Sequence, residues 1–261
     1  MSRLTIGIVG AGVVGGALID YIENKTEHRL LVYDPSKKHF DALNHSDIVF
    51  ISVPVPCKGF KQDLSILESA IENVPHGIPI IIRSTITPGT CEMLTEKYGR
   101  SFSHIPEFLT ARRAYEDMVS QKYVYLGLGS TVIQSELISM IQNIFADKDV
   151  LPVGAKEAEM LKYCHNLHGA VKVTYWNIIY DLCKKQDIDF NIVRLAATSA
   201  TGFINDEHTY VPGPDKKLGF GGTCFPVNLE NFIGYTRGLN GLAAKFFEDV
   251  YCLNRLFRGL K

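Results

Sequence analysis

One cysteine in this 261-residue chain stands in a setting suited to covalent chemistry. Cys224 lies in GFGGTCFPVN, residues 219–228, a glycine-rich turn that leads into an apolar segment with Pro226 near its start. Glycine lets backbone approach a ligand closely and adopts positive φ at little cost. A thiol framed this way is presented, and a presented thiol can act as a covalent nucleophile. The competing reading is an inert core cysteine, the usual fate of a free thiol. On one side of the mostly apolar helical run AKEAEMLKYCHNLHGAVKVTYWNIIYDLCKK, residues 155–185, two polar residues stand together. Lys162 and Asn166 are four apart there and project together. A cation and an amide donor so placed could stabilise negative charge developing on an oxygen. The alternative for Lys162 is a side chain that snorkels to solvent.

The elements that must position such groups begin at the other end. Residues 4–22 read LTIGIVGAGVVGGALIDYI and 29–34 read RLLVYD. Leu4 to Val9 predict a short buried strand, and Gly10, Gly12 and Gly15 fall in GxGxxG spacing around Val13 and Val14, at the start of a predicted helix. In that arrangement Gly10 makes the tight turn and Gly12 admits a pyrophosphate to the helix N-terminus, while Gly15 permits close helix–strand packing. Asp34, at the end of the second strand, stands where an acid binds ribose hydroxyls. A carboxylate there repels a 2′-phosphate, so NAD is expected rather than NADP.

Further on, a short polar helix is expected over 35–45, then DIVFISVPVP (47–56), a near-continuous apolar run of the kind found in buried parallel strands. A helix over 64–73 precedes PIIIRSTITPG (79–89), followed by FSHIPEFL (102–109), YVYLGLG (123–129) and a helix over 131–145. Alternating strands and helices predict an α/β fold with a doubly wound parallel sheet. Ligands in such sheets sit at the carboxyl ends of the strands, where Val53-Pro54, Ser84-Thr85 and Pro106-Glu107 fall. From Gly154 the character changes. The run 155–185 predicts one helix on the order of 45 Å long, apolar around most of its circumference and so largely buried, partly against a second subunit. Helices over 191–199, 226–239 and 241–258 follow. The expected domains are 1–150, binding dinucleotide, and 151–261, helical, mediating dimerisation and carrying Cys224.

Composition excludes several classes. With a net charge of −1 and no basic blocks, the chain has no footprint for nucleic acid or an anionic membrane. Four glycines in residues 10–16 break the apolar N-terminus, which argues against a targeting peptide. No apolar run is long enough to span a bilayer. The six cysteines are scattered, with no metal-ligand spacing, so reduced thiols in a cytoplasm are expected and no metal.

Taken in order, GAGVVG, ISVPVP, RSTITPG, PEFL, KEAEMLKYCHN and PGPDKKLGFGGTCFPVN resemble the UDP-glucose/GDP-mannose 6-dehydrogenase family over nearly the whole chain. The glycine-framed cysteine is the most specific of these motifs. The resemblance implies oxidation of a sugar's primary alcohol to a carboxylate, using two NAD per turnover. Cys224 would attack the aldehyde intermediate, and the thiohemiacetal would be oxidised to a thioester that water hydrolyses. Glu107 would orient or deprotonate that water and Thr85 would help hold it near the nicotinamide, with Lys162 and Asn166 stabilising charge. Phe108 and Leu109 would line the sugar-nucleotide cleft. Tyr210, Phe220 and Gly221, with the adjacent Lys216 and Lys217, would belong to the loop that grips the nucleotide; paired loop lysines are otherwise simply solvated.

Four departures stand against the family pattern, in two motifs, in size and in one arginine. PEFLTA replaces PEFLRE, and CFPVN replaces CFPKD. Asn228 thus takes the place of an aspartate that supports the cysteine and the hydrolytic water; asparagine hydrogen-bonds but takes no proton. An insert is missing between the second strand and ISVPVP. The chain also reaches only to LNRLFRGLK, about where the family's third domain begins. Finally, there is no arginine between Arg194 and Arg237, where the family often supplies one across its dimer interface. The leading reading is an NAD-dependent nucleotide-sugar 6-dehydrogenase, a homodimer acting on UDP-glucose and serving polysaccharide biosynthesis. A homologue with another sugar nucleotide or a two-electron outcome is the second, and a catalytically silent NAD-binding or partner-binding scaffold the third. The 3-hydroxyacid dehydrogenases share the layout but use no cysteine.

Overall fold

The computed structural model describes residues 2–129, 134–200 and 202–260. The N-terminal half alternates as the sequence patterning predicts: β1 (Thr5–Val9), α1 (Val13–Lys25), β2 (Arg29–Asp34), β3 (His39–Phe40), β4 (Ile48–Ile51), β5 (Cys57–Lys58), β6 (Lys61–Gln62), α2 (Ser65–Glu72), β7 (Ile80–Ile82), α3 (Thr90–Tyr98), β8 (Phe102–His104), α4 (Ala114–Ser120), β9 (Tyr123–Leu128), α5 (Gln134–Ile144) and β10 (Asp149–Gly154). Helices then take over: α6 (Ala155–Lys185), α7 (Phe190–Ser199), α8 (Phe225–Arg237) and α9 (Gly241–Phe257). Residues 131–133 of the helix expected at 131–145 lie outside the described residues.

The main sheet runs in the order β10-β9-β8-β7-β4-β1-β2-β3. Strands β2, β1, β4, β7 and β8 are mutually parallel, with Val9 opposite both Tyr33 and Ile51. From β1 the chain winds outward to β2 on one side and, through β4, to β7 and β8 on the other, so the switch point lies between β1 and β4. Alternate residues of each strand enter different cores, which is why β4 is apolar throughout. Ile48 and Phe50 pack with Leu18, Tyr21 and Phe145 of the α1 and α5 side, whereas Val49 and Ile51 pack with Leu67, Ile71 and Leu94 of α2 and α3. This is the doubly wound sheet that the alternating pattern predicts.

Two joins are antiparallel rather than parallel. After β8 the chain continues without a helix to α4, which packs on α1, and β9 then enters antiparallel to β8. The polar helix expected over 35–45 is instead a single turn at Pro35–Lys37 and the edge strand β3, antiparallel to β2. The reversal is local. Asp34 accepts from the Ser36 N–H and hydroxyl, Lys38 turns through φ +63°, and Asp41 accepts from the Val32 N–H. Helices α3 and α4 are not among the elements expected from patterning.

By internal contacts the chain forms two compact units: Met1–Pro56 with Gln62–Lys162, and Cys57–Lys61 with Tyr163–Lys261. The first holds the sheet. In the second, Trp176, Cys183, Phe190 and Val211 form a core between α6 and α7. Helices α8 and α9 pack through Phe232 and Phe247, and the Phe232 ring also stacks on Tyr163 at 5.1 Å. The β5–β6 hairpin tip seats against α8, where a Cβ on Gly234 would fall 1.6 Å from the Phe60 carbonyl oxygen. Among the described residues no helix is long and apolar enough to cross a membrane.

Candidate active site

In the sheet unit the glycine turn after β1 has distinct roles at each position. Gly10 takes φ +88°, and a Cβ there would meet the Ser52 carbonyl oxygen at 2.4 Å. A Cβ on Gly15 would fall 1.8 Å from the Gly10 carbonyl oxygen, so α1 starts in direct backbone contact with the turn. Gly12 is different: nothing lies within 4 Å of a Cβ placed on it. It is the N-cap of α1 and supplies no side-chain cap, leaving the N–H groups of the first turn, at Val13, Val14 and Gly15, free for an anion.

Asp34 ends β2 beside this turn. Its Oδ2 accepts from the Ala11 N–H at 2.7 Å and its Oδ1 from Ser36. Burial pushes the carboxyl up, but the bonds from Ser36 and Ala11 outweigh it and hold the group below its ordinary range. It is ionised at neutral pH. Across the switch point, the buried Ser84 hydroxyl donates to the Val53 carbonyl at 2.7 Å and receives the Val53 N–H at 3.0 Å. Ser84 thus fixes the backbone of Val53 and the exposed Pro54, and its hydroxyl is already committed. Thr85 is half-buried beside it.

Beneath lies a buried ionic cluster. Glu107 and Lys162 are 8% and 4% exposed, and Lys162 Nζ lies 2.7 Å from Glu107 Oε1 and 2.6 Å from the Glu107 carbonyl oxygen. The Leu109 N–H donates to Glu107 Oε2 at 2.8 Å. Burial opposes the charge on Glu107, yet Lys162, the Leu109 N–H and the nearby Arg83 together draw its carboxyl below the ordinary range. Lys162 is therefore an interior cation and does not snorkel. Phe108 lies 5.8 Å from the Lys162 ammonium and edge-on to Tyr125, whereas Leu109 packs against the α1-side core. Patterning does not single out Arg83 or His104. Arg83 is 3% exposed and pushed down to about 10 by burial; burial likewise pushes fully enclosed His104 to about 4. Nor does it single out Glu159 of α6, whose buried carboxylate accepts from the Gly89 and Cys91 N–H groups at the start of α3. A polar residue on the buried face of an amphipathic segment is the available signal.

In the helical unit Cys224 is exposed and is the N-cap of α8. Its carbonyl accepts from the Asn228 N–H at 2.9 Å and from Asn228 Nδ2 at 2.6 Å. Asn228 Oδ1 is buried without a hydrogen-bond partner, as is Asn166 Nδ2; Asn166 Oδ1 lies 3.2 Å from His165 Nδ1. The Phe225 ring covers Gly169 of α6, where a Cβ would fall 2.4 Å from its edge. Of the expected nucleotide-loop residues, Tyr210 donates its hydroxyl to Asp206 under the Arg194 guanidinium, 4.0 Å away. Phe220 is buried and packs edge-on to Phe225, with Gly221 beside it, and Lys216 and Lys217 are exposed.

Residues 33–147 match the NAD binding domain of the UDP-glucose/GDP-mannose dehydrogenase family, and residues 156–255 match that family's central domain. The chain belongs to the UDP-glucose/GDP-mannose dehydrogenase family. The UDP-glucose 6-dehydrogenase of Rickettsia conorii is 30% identical over 233 residues, which cover 84% of this chain and 50% of that protein. The chain spans about half the length of the curated UDP-glucose 6-dehydrogenases it matches. A UDP-glucose dehydrogenase from Pyrobaculum islandicum superposes with a TM-score of 0.80 at 22% identity, covering 98% of this chain and 68% of that one. The 3-hydroxyisobutyrate dehydrogenase of Mycobacterium tuberculosis gives 0.69 at 18% identity, covering 100% and 97%. Both likenesses speak for the fold alone. NAD is the family's cofactor, and the residues present fit it: an open Gly12, uncapped amides at α1 and an ionised Asp34.

Proposed function

We propose that this chain is an NAD-dependent nucleotide-sugar 6-dehydrogenase, with UDP-glucose as the favoured substrate, that forms a uronic acid through Cys224. The observation that carries the reading is the exposed thiol at the start of α8, in a member of a family built around an NAD binding domain. Gly12 and the first-turn amides of α1 would hold the pyrophosphate and Asp34 a ribose. Val53 and Pro54, braced by Ser84, would border the nicotinamide with Thr85. NAD, when bound, takes up two electrons and a proton at each of two oxidations.

The protein's own groups account for the remaining chemistry. The Lys162 ammonium and Asn166 amide would stabilise the oxygen of the C6 alcohol as it loses its proton. The Cys224 sulfur then adds to the aldehyde carbon, making a C–S bond and a hydroxyl, and the second oxidation leaves a thioester. Water attacks the acyl carbon and the C–S bond breaks; the sulfur leaves as the thiol with one proton of the water, and the other is released to solvent as the carboxylate forms. Glu107, ionised and hydrogen-bonded, would orient that water. Phe108, Leu109, Tyr210, Phe220 and Gly221 would shape the substrate cleft. Two features support further parts of the reading. All six cysteines are free, as expected in a reducing cytoplasm. Tyr175, Leu182, Ile192 and Leu195 expose apolar surface on α6 and α7, which a homodimer would cover.

One observation favours a second reading, release at the aldehyde stage: Asn228 spends its amide on the Cys224 carbonyl and offers no proton acceptor of carboxylate strength. The test separates the two. Purified protein given UDP-glucose and excess NAD should form two NADH per sugar consumed, and Cys224→Ser should leave at most one. One NADH from the native protein would support release of aldehyde; none from any of a panel of nucleotide sugars, despite NAD binding, would refute the enzymatic reading.

A further inference from the structure

The glycines that frame Cys224 are placed for the protein's own side chains. A Cβ on Gly219 would fall 2.5 Å from Asn254 Oδ1, and one on Gly221 would fall 1.8 Å from Arg258 Nη2. Gly222, at φ +79°, has nothing within 4 Å of such a position. The first two are thus small because Asn254 and Arg258 occupy the space, and Gly222 alone faces outward. The bonds follow the same division. Asn254, buried on α9, accepts the Phe220 N–H at 2.7 Å through Oδ1 and donates to the Phe220 carbonyl at 3.1 Å through Nδ2. Arg258 follows one turn later, donating through Nε to the same carbonyl at 2.9 Å and through Nη1 to Asp215 at 2.6 Å. From α6, Asn177 accepts the Gly219 N–H at 2.8 Å. The backbone of Gly219 and Phe220 and the carboxylate of Asp215 are therefore gripped by side chains of α6, α9 and the residue that follows α9, and the nearest grip lies four residues before the thiol.

We infer that Asn254 and Arg258 are positioning residues for Cys224, forming a clamp that fixes the loop from which the sulfur is presented. The physical argument is economy of contact. Phe220 has both backbone polar groups buried, and Asn254 satisfies both with one side chain in a fixed two-bond geometry. Arg258 adds a charged donor to the same carbonyl and a charge-assisted bond to Asp215, the stronger kind. A loop of glycines has no side chains with which to hold its own shape, so its order is imposed from α9. The clamp also forms one wall of a cavity of about 330 Å³ lined by Lys217, Phe220, Pro226, Tyr251 and Arg255. A displacement of about 1 Å in reacting groups costs on the order of 100-fold in rate.

The inference rests on Cys224 as the nucleophile proposed above, and its test has one arm that needs no turnover. Alkylation of Cys224 by iodoacetamide is followed by mass spectrometry against exposed Cys164 and Cys252 in the same molecule. Asn254→Ala and Arg258→Gln are expected to change the alkylation rate at Cys224 by about threefold or more, since the surroundings in which the loop presents the sulfur change with the loop, and to leave the other two rates unchanged. Turnover should fall on the order of 10- to 100-fold in kcat with KM nearly unmoved, and Arg258→Lys should recover part of it. Asp215→Asn, at the exposed end of the clamp, guards against variants that fail to fold and should show the same pattern more weakly. Unchanged Cys224 alkylation, or a rise in KM with kcat intact, would overturn the clamp and make Arg258 a substrate ligand instead. Altered alkylation in a protein that oxidises no sugar would keep the clamp and refute the enzymatic reading.

Discussion

The charged residues beneath the sheet's carboxyl edge carry the clearest pH signature. His104 is fully buried with Nε2 3.2 Å from the Ser84 carbonyl, and both Lys162 and Arg83 oppose a proton on it. Its folded pKa near 4 lies below the unfolded value of about 6.5. Between those limits the unfolded chain binds one more proton than the native one, so stability falls as pH falls across the window, by about 3 kcal/mol in all. Above pH 6.5 the contribution is fully present. Glu107 acts in the same direction at lower pH, because its depressed carboxyl must be protonated for the pair with Lys162 to break. Urea denaturation at stepped pH should show the loss from 6.5 downward, and His104→Gln should flatten that window while leaving the steeper acid limb. His104 and Arg83 escape sequence reading because each looks like one polar residue at the end of an apolar strand. Only the approach of Glu107 and Lys162 makes them a cluster.

Between β1 and α1, the turn separates glycines that serve packing from the one that faces open space. Gly15→Ala should drive its Cβ into the Gly10 carbonyl, 1.8 Å away, and unfold or strongly destabilise the sheet unit. Gly12→Ala meets no atom within 4 Å, so its melting temperature should stay close to that of the native protein. NAD affinity, read by fluorescence titration, should nevertheless drop about tenfold or more, because the added methyl stands where a pyrophosphate would approach the amides. Retained NAD binding in Gly12→Ala would show that the dinucleotide lies elsewhere. GxGxxG was legible because its geometry is local: each glycine answers to backbone within a few residues or to the next strand. The glycines of the Cys224 loop were legible as a motif but not in their reason. Gly219 and Gly221 answer to Asn254 and Arg258, more than thirty residues downstream in α9 and just beyond it. No spacing rule connects them.

For the whole molecule, the two units differ in how their apolar surface is spent. The sheet buries both faces, whereas α7 leaves Ile192 and Leu195 at 67% and 62% exposure, and α6 likewise exposes Tyr175 and Leu182. Burying four such side chains is worth roughly 1.5–3 kcal/mol each when complete. Light scattering should therefore report a dimer, and Ile192→Glu with Leu195→Glu should yield a folded monomer; a native monomer would leave that surface to another partner. Read alone, the order of residues yields the α/β sheet, the long α6, the GxGxxG turn and the family resemblance, because period-two and helical patterning and glycine spacing are properties of neighbouring residues. The tertiary structure alone decided that Lys162 is an interior cation paired with Glu107, that residues 35–45 turn back as an edge strand, and that Asn228 holds the Cys224 carbonyl. Those outcomes depend on which buried polar group finds which partner. That choice is made by the low dielectric of a packed interior, which leaves few charges or amides unsatisfied, and linear spacing does not record it.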